Sequence, residues 1–346
     1  MTAVRAIVSQ APGLEGLQFV EREMPAPGPG QVLLGMRAAA VSLRDYKMAT
    51  GAYGAAAERV PRVLGGEGVG EVLALGAGVT QWRVGERVSP LFVQRWTAAR
   101  AHPEAVAHSV LGGADIDGSF AEQMLVPADS LVAVPAHLSD AEAATLPFAG
   151  LTAWCAVHEQ AGIGAGNVVV VQGTGGIPLF ALQFAKLVGA RVIVTSKNDD
   201  KLARARALGA DHTINYQAVP EWSAAVLELT GGRGADLVLD PGGTVTMAQS
   251  LRALRPGGMV SVFNALGGPG GSPDIGVSLP WLLGHNLRVQ GSNAGSLLSH
   301  QAMAKAIAAT GLKPVIERIA PLAAGIDAIA AAPKSEQFGK VCLLMD

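Results

Sequence analysis

Residues 167–196 read NVVVVQGTGGIPLFALQFAKLVGARVIVTS, and the changes of pattern within them decide the fold. Val168, Val169, Val170 and Val171 are an unbroken β-branched run, the composition of a parallel strand covered on both faces. Gly173, Gly175 and Gly176 follow around Thr174, where the chain has to turn sharply and let its backbone approach a ligand. An amphipathic helix opens near Ile177, and a second apolar strand at 191–195 closes the unit. Strand, glycine-rich turn, helix and strand outline a dinucleotide-binding βαβ unit, with the free N–H groups of the helix start aimed at a pyrophosphate. A glycine-rich turn that binds no nucleotide is the alternative. The third glycine of the G-x-G-x-x-G pattern is replaced by Pro178. Proline suits the first helical turn, where its missing N–H has no intrahelical partner, so the site is expected to persist with one phosphate donor fewer.

The second strand runs into Thr195, Ser196, Lys197 and Asn198. An acidic residue about 20 positions after the glycines would accept the ribose 2′-hydroxyl of NAD, whereas a hydroxyl and a cation suit the 2′-phosphate of NADP. Ser196 and Lys197 hold that place, and the first acids, Asp199 and Asp200, come after it. NADPH is therefore expected over NADH. Lys197 could instead be an ordinary exposed loop lysine.

Composition sets the surroundings. The chain of 346 residues is long enough for two domains of ordinary size. A net charge of −2 with 16% charged residues leaves no basic stripe for nucleic acid, and 5% aromatic content is thin for stacking bases. Cys155 and Cys342 cannot make a disulfide framework, which points to a reducing cytoplasm. The charge-free stretch 160–185 is interrupted by glycines, Asn167, Gln172 and Pro178 and is not read as a membrane span.

Short β-like runs at 4–8, 17–20, 32–39, 68–75 and 87–91, separated by Gly and Pro clusters, make the first half a partly open β-barrel. Residues 94–118 carry few strand signals and read as a long irregular excursion. Helices are expected around 139–144, where Ser139 and Glu142 make a capping box, and around 151–160. Beyond the βαβ unit, helices near 201–208, 221–229 and 245–254 alternate with strands at 212–215, 236–240, 259–263 and 287–290. The sum is an α/β chain with a six-stranded parallel dinucleotide-binding sheet. A helix around 301–309 and a strand near 340–344 exceed what that sheet needs. They are expected to return to the barrel, which gives a discontinuous domain of residues 1–149 and 296–346 around a cofactor domain of 150–295.

Taken in order, the β-rich half, GTGGIPLFALQFAKLVGA, GADHTINY, LRPGGMVSV and the terminal FGKVCLL resemble the medium-chain dehydrogenase/reductase superfamily over nearly the whole chain. GAY at 51–53, LGGEGVGEV at 64–72, LPFAGLTAW at 146–154 and NALGG at 264–268 resemble its zinc-free quinone oxidoreductase and alcohol-dehydrogenase-like branch. The resemblance implies a Rossmann cofactor domain, a GroES-like catalytic domain and a homodimer. It implies further that Thr152 touches the nicotinamide, that Tyr216 covers the 2′-phosphate end, and that Asn264 and Leu266 belong to a cofactor loop. Plainer roles are a helix-turn hydroxyl for Thr152 and a strand-end aromatic for Tyr216.

Zinc-dependent members of the superfamily place a cysteine, a histidine and a second cysteine where this chain has Ser42, Gly66 and Phe148. No thiolate or imidazole is available there, so no zinc is expected. His102 and His108, in the excursion, lack neighbouring cysteines. Without a metal, hydrogen-bond donors must carry the developing charge. That favours reduction of a conjugated C=C bond over reduction of a simple ketone. Tyr53 matches a tyrosine that related enoyl reductases keep near the reacting carbon, and a phenol could protonate the α-carbon; an aromatic lid is its plainer role. Ser42, Asp45 and Glu67 occupy the former metal neighbourhood and could hold water or substrate, although Asp45 is read first as a structural acid paired with Arg44 or another cation. Phe148, Trp96, Phe120 and Leu266 would wall an apolar pocket. The expected activity is hydride transfer from NADPH to a small apolar quinone or α,β-unsaturated carbonyl. A simple alcohol dehydrogenase and a non-enzymatic NADPH-binding protein are the alternatives.

Overall fold

The computed structural model describes residues 2–97, 109–264 and 279–345. The chain divides into two compact units, one formed by residues 1–151 and 294–346, the other by residues 152–293.

The second unit is a parallel sheet whose six strands are β9 (Val168–Gln172), β10 (Arg191–Ser196), β11 (His212–Asn215), β12 (Ala235–Asp240), β13 (Leu254–Val262) and β14 (Arg288–Gly291). They stand in the order β11-β10-β9-β12-β13-β14, all parallel. The direction of winding reverses between β9 and β12, and the carboxyl ends of strands at such a reversal are where open α/β sheets bind ligands. Every residue of β9 is buried, as its unbroken valine run requires. The helix Gly176–Leu187 buries Leu179, Phe180, Leu182 and Phe184. Trp222, Val226, Met247 and Leu251 close another face together with Val168, Val170 and Val238.

The first unit is antiparallel for the most part. β1 (Thr2–Ser9) pairs with β2 (Leu17–Met24) and with the short β4 (Arg62–Val63). Its larger sheet centres on β3 (Gln31–Val41), which pairs with β5 (Gly68–Leu75) and β7 (Gln123–Pro127). β6 (Arg87–Pro90) and β8 (Leu131–Ala133) extend it on one side. On the other, β16 (Lys340–Leu344) lies antiparallel to β3, with β15 (Ile316–Pro321) parallel beyond it. Because β16 is an inner strand, the unit is discontinuous in sequence. The core runs through Ile7, Val41, Met48, Leu64, Phe120, Ile329 and Leu343.

Elements not foreseen from the sequence include β4, β7 and β8, the helices Leu43–Ala49 and Gly325–Ala331, and β15. β4 and β8 are too short for a two-residue period to emerge. Helix Leu43–Ala49 starts at Ser42, whose N–H and hydroxyl both donate to Asp45 Oδ2 at 2.8 Å, a stop-and-start signal hidden among small residues.

Candidate active site

The turn after β9 is built to receive a phosphate. Gly173 has φ +85°, a conformation other residues resist, and its N–H donates to Thr195 O at 2.8 Å. A Cβ added at Gly173 or Gly175 would meet nothing within 4 Å, so open space faces the backbone there. Helix Gly176–Leu187 begins at Gly175 with no side-chain cap, and its first N–H groups are left for a ligand. Pro178 sits inside this helix and is buried. The residues of the turn fit a dinucleotide pyrophosphate.

The loop is fixed from below. Asp240, at the end of β12, accepts from the N–H groups of Gly242 and Gly243 at 2.7 and 3.0 Å and from the Thr246 hydroxyl at 2.6 Å. Its other oxygen accepts from Ser250, which in turn accepts from Gln172 Nε2 at 2.7 Å. This buried network joins β9 to β12 at the winding reversal. Sequence reasoning missed Asp240, and the signal was an Asp placed directly before Pro241-Gly242-Gly243.

Ser196, Lys197 and Tyr216, expected at the ribose, lie close together at the ends of β10 and β11. Ser196 pairs in register with Asn215, and Tyr216 N donates to Ser196 O at 3.2 Å. The Ser196 hydroxyl accepts from Asn198 N at 3.2 Å, while Lys197 and Tyr216 are exposed. Asp199, the nearest acid, accepts from Asn215 Nδ2 at 2.9 Å. Burial raises the pKa of Tyr216. Thr152 is buried and Asn264 half-buried in the same unit, whereas Leu266 lies outside the described residues, as do His102 and His108.

In the first unit, the place matched to the missing histidine is filled. A Cβ on Gly66 would stand 2.9 Å from the Phe92 ring and 3.4 Å from Arg44 Nη1, so an imidazole does not fit. Phe92 packs on Phe148 with ring centres 4.4 Å apart. Among the described residues, no three His, Cys, Asp or Glu side chains gather. A tetrahedral zinc site does not suit Ser42, Gly66 and Phe148.

Several expected roles change in detail. Asp45 and Ser42 are engaged with each other at the helix start, although Asp45 Oδ1 has no hydrogen-bond partner. Burial pushes the Asp45 carboxyl up, against the opposing pull of Arg44 and Ser42. Glu67 forms a buried pair with Lys340 and accepts from Ala149 N at 3.0 Å, while Lys340 also donates to Val41 O at 2.8 Å. Phe120 is packed wholly inside the core and presents no surface, which corrects its expected place in a pocket wall: it follows Ser119 under the Gly65 turn. Trp96 is half-buried with an unpartnered Nε1, and Phe148 is half-buried. Tyr53 is 44% exposed.

The alcohol dehydrogenase GroES-like domain family matches residues 28–136, and the zinc-binding dehydrogenase family matches residues 176–310. A zinc-type alcohol dehydrogenase-like protein of Schizosaccharomyces pombe is 34% identical, covering 99% of this chain and all of its own length. A 2-haloacrylate reductase of a Burkholderia species is 31% identical over 76% of this chain and 73% of its own. The solved structure of an NAD-dependent alcohol dehydrogenase is 32% identical with a TM-score of 0.88, covering 99% of this chain and 100% of its own. The chain belongs to the medium-chain dehydrogenase/reductase superfamily, and it is an oxidoreductase of that nicotinamide-using family with a Rossmann-like sheet and a GroES-like domain.

Proposed function

We propose that the protein reduces a small apolar α,β-unsaturated carbonyl or quinone with NADPH and without zinc. The observation that carries the reading is the Gly66 turn, where Phe92 and Arg44 stand in the space a metal-binding histidine would need. With no metal to polarise an alkoxide, a conjugated acceptor is favoured, because its developing enolate needs only hydrogen bonds. The 2-haloacrylate reductase among the relatives is named for a conjugated alkene, a carboxylate in its case, which supports reduction of a C=C bond and leaves the apolar class resting on Phe148 and Trp96. When bound, the nicotinamide supplies the hydride. Gly173, Gly175 and the helix start would hold the pyrophosphate, Ser196, Lys197 and Tyr216 the 2′-phosphate, and Thr152 and Asn264 the nicotinamide end. The NAD-dependent neighbour argues for the other cofactor, and against it stands the lack of an acid at the tip of β10. Phe148 and Trp96 supply apolar surface, and Tyr53 supplies the proton.

Elemental analysis combined with NADPH consumption on enones, quinones and simple ketones tests the reading. Less than about 0.1 zinc per chain with enone or quinone turnover is expected. Stoichiometric zinc, or turnover of simple ketones alone, would overturn it. Tyr53→Phe should lower enone turnover by about 10²- to 10⁴-fold with NADPH affinity unchanged.

A further inference from the structure

Arg44 is only 7% exposed, and aromatic rings hold it. The Phe92 ring centre lies 5.0 Å from its Cζ and the Tyr53 ring centre 5.5 Å. The guanidinium lies over the Tyr53 ring, and its Nε and Nη1 have no hydrogen-bond partner. Gly66 leaves it the room it needs, since a larger residue would press on both Nη1 and Phe92. Burial pushes the guanidinium pKa down, and Asp45 and Tyr53 oppose that push. A cation kept in such a place, incompletely bonded, is expensive to retain for packing alone. Asp45 on its own helix and Arg62 of β4 are the other charges felt at this position, with Glu67 and Lys340 behind Asp45. Exposure separates the two partners: Tyr53 is open to solvent, whereas Nε and Nη1 of Arg44 are buried.

We propose that Arg44 is the positioning residue of the reduction: it fixes the Tyr53 phenol in one orientation and stabilises the phenolate left when Tyr53 protonates the substrate α-carbon. The inference rests on the enone reading above. Once hydride has reached the β-carbon, the substrate is an enolate. The Tyr53 O–H bond breaks as the α-carbon C–H bond forms, the O–H electron pair stays on the phenolate, and the enolate oxygen returns to a carbonyl. Water then restores the phenolic proton. The Arg44 charge matters during the interval between those two transfers.

The test is reduction of 2-methylcyclohex-2-enone by NADPH in deuterated water, reading kcat, KM and the configuration at the α-carbon. Wild-type protein should place solvent deuterium on one face. Arg44→Met should lower kcat by about tenfold to a hundredfold, scramble that configuration, and leave NADPH binding by fluorescence intact. Arg44→Lys should restore much of the selectivity, and in a Tyr53→Phe background Arg44→Met should add less than about twofold. If the methionine variant does not fold, Arg44→Gln is read in the same way. Full kcat with one configuration in the neutral variant, or losses that multiply independently of Tyr53, would overturn the role of Arg44 alone. A wild-type protein that reduces neither enones nor quinones overturns the enone reading as well.

Discussion

Ser196 and Lys197 meet the cofactor question at its narrowest point. A buried hydroxyl whose oxygen faces a backbone N–H, followed by an exposed amine, ends β10, and the Asp199 carboxylate beside them is engaged by Asn215. Ser196→Asp adds a carboxylate there. NADPH affinity should fall at least about tenfold, the worth of one charge-assisted hydrogen bond, and NADH should become the tighter ligand. Fluorescence titration of both cofactors decides this, and equal affinities unaffected by the substitution would remove the assignment. Such single positions were legible beforehand because each is the end of a strand or the middle of a glycine turn. Arg44 was not. Its significance depends on Phe92 and Gly66, 48 and 22 residues away, and no local pattern announces a cation held between distant rings.

At the scale of elements, the parallel sheet was readable because its inner strands β9, β10 and β12 are buried on both faces and its turns carry glycine. β11 and β16 fall where alternation and apolar runs put them. The antiparallel half yielded less, since β7 mixes Gln123 and Pro127 with apolar residues and gains its identity from pairing with β3. The lower end of the sheet is tied by Asp236, which accepts from Val168 N at 2.7 Å and from Arg233 and Arg255. Burial raises its pKa, yet those hydrogen bonds prevail and hold it below the ordinary carboxylate range. A depressed folded-state value stabilises the protein above the unfolded pKa of about 4, and the benefit drains away as pH falls through the lower folded value. Asp236→Asn should cost about 1–2 kcal/mol at pH 7, the arginines being partly exposed, and should flatten the acid limb of the stability curve below about pH 4. An unchanged acid limb would refute the tie. The buried Lys340–Glu67 pair makes a second tie, between β16 and the Gly66 turn. Lys340→Met strands a buried carboxylate and should destabilise by about 3–5 kcal/mol in a denaturant melt, and Glu67→Gln added to it should recover part of the loss.

For the whole molecule, the open question is association. β14 ends the cofactor sheet with every residue exposed, and Leu279 and Leu283 on the preceding helix are 77% and 82% exposed. A strand edge unpaired among the described residues, beside the exposed side chains of Val289, Leu279 and Leu283, invites a second copy, the expected homodimer. Sedimentation should give a dimer that Leu283→Lys weakens at least about tenfold, and a monomeric wild type at micromolar concentration would exclude that edge as the contact.

The inner position of β16 has a consequence for the order in which the chain can be completed. Residues 152–293 are contiguous, so the cofactor sheet can close while the last part of the protein is still being synthesised. The barrel cannot. Its central strand β3 emerges early and must wait for β16, nearly three hundred residues later, with the Ala38–Val41 part of one edge unpaired and the carboxylate of Glu67 lacking its lysine. At roughly 5–20 residues per second that wait is on the order of fifteen seconds to a minute. The nascent protein thus has a long interval in which its nucleotide-binding half is foldable and its catalytic half is incomplete, and mutations weakening β16 should first reveal themselves as lost yield during expression.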